Sequence, residues 1–345
     1  MYVPLLRRLA ALNYSSIACN QRGYSLDAPQ NEQEYLYHHL RQDAFAVAAV
    51  YFGSSTRFHL IGHDHGAMLG WTMAASDNAH TRIASWTALS VPHADAFSNG
   101  LYGPNSDVDQ QISSQYFTMF VDNRWVGGSI YCVLRVDLDA SFFFFFVTRS
   151  LILFSFHVFF FSCLFLFLSL PPFSFLRSAT THGELWWRTM GEEAGLGTNA
   201  SNVWKTSEDF QKALWWYNGA VGDGIMALPP SMSTSDILKH GVWKWKGIAA
   251  LRAVWGGKSN AGNAAVHPIG NVVGIDTLFV CGAADSAILC NRTYALKTRQ
   301  YVKNGTYSNL CVDCGHDLLA CDDAKQTERV VEAIVQHVSG GGDGR

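Results

Sequence analysis

The chain has 345 residues, 48% of them hydrophobic, and a net charge of −3 with its 13 histidines counted neutral. That length accommodates one large domain with an insertion, or two domains of ordinary size. Its 25 Lys and Arg against 28 Asp and Glu form no basic run or stripe, which excludes nucleic acid as a partner class.

In chain order, Leu5–Leu12 has helical apolar spacing and Ser15–Cys19 reads as a short buried strand. Gln21-Arg22-Gly23-Tyr24-Ser25 is a polar turn with a glycine free to take positive φ. Glu32–Val50 is a long helix, Phe58–Ile61 a strand, Ala67–Ala75 a helix of small residues and Ile83–Leu89 the next strand. This alternation predicts a parallel sheet covered by helices on both faces, hence an α/β fold. From about Gln110 to Trp245 Trp and Tyr are common and strand patterns scarce, so the segment reads as a helical insertion over the sheet. A buried strand returns at Asp276–Cys281, another ends near Val312, and Ala324–Val338 is a helix. The expected division is therefore 1–109 and 246–338 as two parts of one core, 110–245 as a helical lid, and 339–345 as a disordered tail.

Residues 136–178 fit neither neighbour. Fourteen of the 22 phenylalanines lie between Phe142 and Phe175, and the 27 residues between Arg149 and Arg177 carry no charge. That is long enough for a transmembrane span, yet Pro171-Pro172 break it and a span there would put two halves of one sheet on opposite sides of a membrane. Phe/Leu/Ser-rich translation is also what a pyrimidine-rich intron yields, and we read the segment as non-native coding sequence. A membrane partner is expected only through 142–176. Localisation follows the same fork: cytoplasmic or secreted without the segment, membrane-associated with it.

Five of the eight cysteines lie in the last quarter, and Cys311-Val-Asp-Cys314 reads as half a zinc site. No second Cys/His pair stands at ligand spacing, so neither metal nor cofactor is expected. The clustering fits disulfides better, with pairing left open. Four Asn-x-Ser/Thr sequons, at Asn13, Asn199, Asn291 and Asn304, suit secretion, although the N-terminus carries no signal peptide pattern.

The chemistry concentrates at Gly62-His63-Asp64-His65-Gly66, between a strand and a helix. A nucleophile on so tight a turn needs small residues two positions either side, because a Cβ there collides with the strained backbone. Aspartate is ionised at neutral pH and needs no base to activate it; it suits displacement at a strained sp³ carbon, giving an alkyl ester that water then hydrolyses. The competing reading is that Asp64 caps the following helix. His316, after a short strand and before the terminal helix, is the candidate base. Asp285, just past the strand ending at Cys281, is the candidate acid that orients it, with Asp313 and Asp317 as rivals by proximity. The order nucleophile, acid, histidine is that of α/β-hydrolases.

On these residues the sequence resembles the epoxide hydrolase branch of the α/β-hydrolase superfamily. Met1–Ser25 resembles its stretch through an Asp-Gln-Arg-Gly-Tyr-Gly turn, with Asn20 in place of Asp. Phe58–Trp71 resembles its nucleophile elbow, Ser90-Val-Pro-His93 the segment after the next strand, and Trp215-Trp216-Tyr217 a lid helix bearing a ring-opening tyrosine. Ser114-Gln115-Tyr116 resembles, more loosely, the segment of the companion tyrosine.

The resemblance implies a small-molecule epoxide with water as co-substrate, Tyr217 and Tyr116 as proton donors to the opening ring, and the His65 backbone N–H as half of an oxyanion hole. A dehalogenase using the same Asp64 is an alternative, although many place Trp where His65 stands. The family's His-Gly-x-Pro-like oxyanion loop and first strands have no counterpart here. The chain thus reads as N-terminally incomplete, and an inactive or membrane-tethered relative is a further alternative.

Overall fold

The computed structural model describes residues 2–25, 27–121, 207–230, 232, 267–289 and 292–340. The anomalous segment 136–178, most of the expected lid and the last residues of the tail lie outside the described residues. A central sheet runs in the order β1 (Phe58–His63), β2 (Ile83–Leu89), β4 (Asp276–Gly282) and β6 (Tyr307–Val312), with every pairing parallel. Beside it, β3 (Val272–Val273) pairs with β5 (Val302–Lys303), also parallel.

Strand periodicity of two sends alternate side chains to opposite faces. In β4, Leu278 and Val280 join one apolar cluster while Phe279 and Cys281 join the other. The first face is covered by α1 (Val3–Ala11), through Leu5 and Leu9, and by the terminal helix α9 (Ala324–Gly340). In α9, Val330, Val331, Ile334, Val335 and Val338 are buried at helical spacing, one stripe against the sheet. Arg8 joins α1 to α9 through Glu332 at 2.9 Å. The opposite face carries α2 (Tyr37–Phe52) and α3 (His65–Ala74). Every residue of α3 from Ala67 to Ala74 is buried, and Trp71 stands edge-on to Trp86 of β2 with ring centroids 5.5 Å apart. Helix α3 is hydrophobic all round because β1, β2 and α2 enclose it.

Two expectations need correction. Ser15–Cys19 forms no strand: it is largely exposed, with no partner strand among the described residues to pair its backbone. The helix expected from Glu32 begins as a 3₁₀ turn, Glu32–Tyr35, capped by the Asn31 side chain, and α2 starts only at Tyr37. The remaining elements are α4 (Ala94–Tyr102), α5 (Val108–Ser113), α6 (Tyr116–Val121), α7 (Ser207–Gly222) and the single turn α8 (Thr293–Leu296).

Helix α7 rests on the polar turn before α2. Gly23 has φ +84°, and a Cβ there would stand 2.8 Å from the Ala213 backbone. The Arg22 carbonyl accepts the Trp216 indole N–H at 2.8 Å, while the Arg22 guanidinium is bound to Asp43 and donates to the Glu34 carbonyl. Trp215 packs edge-on to Tyr35 at 5.1 Å. Gly23→Ala is expected to cost about 1–3 kcal/mol, through positive-φ strain and loss of this close approach. Urea unfolding with an unchanged midpoint would contradict it.

Candidate active site

Strand β1 ends and α3 begins on one residue, Asp64, whose backbone sits at φ 53°, ψ −123°. This is a region that L side chains rarely occupy, held here by the surrounding backbone. A Cβ on Gly62 would run into the Gly66 carbonyl, whereas a Cβ on Gly66 meets nothing within 4 Å. The expectation that both glycines are sterically required thus holds for Gly62 alone. The crowding is one-sided because Gly66 brings its carbonyl onto Gly62 while its own α-carbon faces open space.

Asp64 occupies the N-cap position of α3, but its carboxylate makes no capping hydrogen bond; only its carbonyl does helical work, accepting from Ala67 and Met68 at 2.8 and 3.1 Å. The capping alternative therefore fails. The His65 backbone N–H lies in the first turn, where amides have no intrahelical acceptor.

Asp64, His316 and Asp285 converge. His316 Nδ1 donates to Asp285 Oδ2 at 2.7 Å, and its Nε2 lies 3.5 Å from Asp64 Oδ1. The carboxylates differ in setting: the Asp285 side chain is fully buried, that of Asp64 is 44% exposed, and His316 is 27% exposed between them. Asp285 is anchored through Oδ1, which accepts from the Ala287 and Ile288 amides at 2.9 and 3.0 Å. Of the rivals, Asp317 faces His63 Nε2 at 3.7 Å rather than the His316 ring, and Asp313 is exposed. Burial disfavours the imidazolium of His316, yet hydrogen bonds and charge from Asp285 and Asp64 outweigh it and raise its pKa well above the ordinary value. Burial likewise opposes the charge on Asp64, but the hydrogen bond and positive charge of His316 hold its pKa below the usual carboxylate range.

Several residues that sequence reasoning passed over complete the site. The His316 carbonyl accepts from His63 Nε2 at 3.0 Å and from Ser90 Oγ at 2.5 Å, so the imidazole hangs from a doubly fixed backbone. The sequence signal for His63 is its place directly before Asp64, at the end of β1. Ser90, at φ 68°, immediately follows β2, where the resemblance marked a segment without giving it a role. Cys314 and Cys321 form a disulfide bracketing the His316 loop, and no group of metal-ligating residues occurs among the described residues. Around the elbow, Tyr2, Tyr24 and Tyr37 all have phenol pKa values raised first by burial and then by the Asp64 charge, so they surround the carboxylate as neutral groups. His93 is structural: its Nε2–H donates to the Gly270 carbonyl at 3.0 Å, its Nδ1 accepts from the Asp95 amide, and burial pushes its pKa down to about 3.

Tyr217 projects from α7 onto His65, with ring centroids 4.2 Å apart and planes at 88°. It also packs against Phe117 of α6 at 5.6 Å. Tyr116 opens α6, the neighbouring helix, and its side chain lies outside the described residues. Trp215 and Trp216 pack, as expected of them.

No family model matches the chain, and neither does any curated protein. Solved structures do. One, described as belonging to novel epoxide hydrolases of the α/β-hydrolase superfamily from hot-environment metagenomes, matches with a TM-score of 0.55 and 17% identity, over 99% of this chain and 85% of its own. An epoxide hydrolase variant from Vigna radiata matches with 0.53 and 15%, over 97% and 86%. An epoxide hydrolase variant from Bacillus megaterium complexed with a diol product matches with 0.51 and 14%, over 97% and 89%. The chain has the α/β-hydrolase fold. Within that fold, Asp64 stands at the strand-to-helix elbow, Asp285 just past β4 and His316 just past β6, the placement expected from chain order.

The sign of the electrostatics is testable. The raised folded pKa of His316 means its pairing stabilises the fold fully below the ordinary imidazole value of about 6.5, and that contribution is lost as pH rises through the folded value. Asp285→Asn should lower the His316 pKa and shrink this pH-dependent stability. An NMR titration of the His316 ring that does not move in the variant would contradict the assignment.

Proposed function

We propose that this chain is a hydrolase that opens epoxides to vicinal diols through an alkyl ester on Asp64. The reading is carried by one observation: an exposed aspartate on a strained elbow, 3.5 Å from a histidine that a buried aspartate holds at 2.7 Å. The epoxide hydrolases among the structural neighbours support the same reaction class.

In the first step an Asp64 oxygen attacks an epoxide carbon from the side opposite the breaking C–O bond. The departing oxygen takes a proton from the Tyr217 phenol, with Tyr116 as its companion donor, and the phenol is reprotonated in turn. In the second step His316 Nε2 removes a proton from water, whose oxygen adds to the ester carbonyl of Asp64. The resulting oxyanion lies where the His65 backbone N–H can donate to it. On collapse the leaving alkoxide takes the proton from the His316 imidazolium and departs as the diol. The Asp64 carboxyl releases the remaining proton of the water, which balances the one the phenol gave up, and Asp285 stabilises the imidazolium until that transfer.

Ester formation also adjusts the base. Charged Asp64 helps to hold a proton on His316; the neutral ester does not. The His316 pKa therefore falls at the step where a free imidazole is needed. Asp285, untouched by the reaction, keeps the ring oriented throughout.

With styrene oxide, Asp64→Ala is expected to lose roughly 10⁴-fold or more in turnover, and Tyr217→Phe about 10²-fold. In a His316→Gln variant the ester should accumulate, adding the mass of the epoxide to the peptide that contains Asp64. Mass spectrometry finding no adduct, or one on another residue, would refute the proposal.

A further inference from the structure

The residue after the nucleophile is itself ionisable, and its ring is held. Tyr37, fully buried at the start of α2, brings its phenol oxygen to 2.9 Å from His65 Nδ1. A phenol whose ionisation burial opposes keeps its proton and donates it. His65 Nδ1 is then the acceptor, so the ring proton resides on Nε2. Nε2 is buried without a hydrogen-bond partner among the described residues, and the ring lies against Tyr217 at 4.2 Å and Trp216 at 5.8 Å.

We propose that Tyr37 is a positioning residue that locks His65 as a neutral imidazole in its Nε2–H tautomer, and so keeps a second cation away from the Asp64 carboxylate. The inference rests on Asp64 being the nucleophile. His316 already places one cationic group beside Asp64, and an imidazolium at His65 would add another that stabilises the carboxylate against attack on carbon. It would also bring charge against Tyr217, the candidate donor to the opening ring. The groups facing His65 set its preference. Tyr37 of α2 donates to it, Asp64 of its own turn favours its cation, His316 from the loop after β6 disfavours it, and Trp216 and Tyr217 of α7 pack edge-on against it. Burial weighs heaviest and lowers the His65 pKa, with His316 adding to it against Asp64. Protonation at Nδ1 would cost the Tyr37 hydrogen bond as well, because that lone pair is already engaged.

The test is two-bond ¹⁵N–¹H correlation of the whole chain labelled with ¹⁵N-histidine, the His65 signals being identified by their loss in His65→Phe. The expected spectrum has His65 protonated at Nε2 only, without titration between about pH 5 and 8.5. In Tyr37→Phe both tautomers should appear and His65 should titrate within that range. For styrene oxide, kcat/KM of Tyr37→Phe should then fall further at about pH 6 than at about pH 8.5, by a factor of roughly two, because burial still holds the His65 pKa below its ordinary value. The double variant Tyr37→Phe/His65→Phe should lack this acidic limb, which loss of packing alone would not remove. A wild-type spectrum with Nδ1 protonated, or a Tyr37→Phe loss equal at every pH, overturns the proposal. Wild-type protein giving neither diol nor Asp64 adduct overturns the nucleophile reading instead, and the spectrum still decides the tautomer. Should Tyr37→Phe fail to fold, the wild-type spectrum alone decides.

Discussion

The close approach of the Gly66 carbonyl to the Gly62 backbone is the constraint on which the site depends. It closes the strand-to-helix turn so tightly that Asp64 must take a positive φ, and that backbone lifts its carboxylate out of the capping position. The strain, of order 1–3 kcal/mol for such a residue, persists because β1 pairs with β2 on one side and the enclosed helix α3 begins on the other. A relaxed turn would return the side chain to the amides of α3, where it would be a helix cap and nothing more.

Environment then separates two residues of the same type. Asp285 is buried and bound to two amides and a ring nitrogen, so it is a permanent counter-charge. Asp64 is half open and bound only through the edge of His316, so it remains reachable. Perturbed pKa values concentrated in one place are characteristic of functional sites. Here every group around the carboxylate is pushed toward neutrality except His316, which two aspartates favour as a cation. The tyrosines at positions 2, 24 and 37 contribute bulk and low polarity without contributing charge.

The helix that brings Tyr217 against His65 is seated by contacts with no chemical role of their own. Gly23 admits the α7 backbone, the Arg22 carbonyl takes the Trp216 indole, and Arg22 is fixed in turn by Asp43 and Glu34. A salt bridge of this exposure adds little stability by itself. Its consequence is geometric, since it sets the height of α7 above the elbow and so the contact between Tyr217 and His65.

The sequence by itself determined the parallel sheet, because apolar runs alternating with helical stripes have few other ways to bury themselves. It also singled out Asp64, Asp285 and His316, because each follows a strand at its C-terminal end, where such folds place their sites, and the fold brings the three together. Local pattern misled where pairing or packing decides. Ser15–Cys19 is apolar enough for a strand but has no neighbour, and Gly66 matched a motif whose steric need falls on Gly62. Only the tertiary structure brought Ser90 and His63 to the His316 carbonyl, and Tyr37 to the His65 ring beside Asp64. These contacts join residues 28 to 253 positions apart. No periodicity or spacing encodes them, because they arise from the stacking of α2 and the strand ends around the elbow. The candidate triad was legible in the chain; the hydrogen bonds that hold its neighbours in place were decided by the fold.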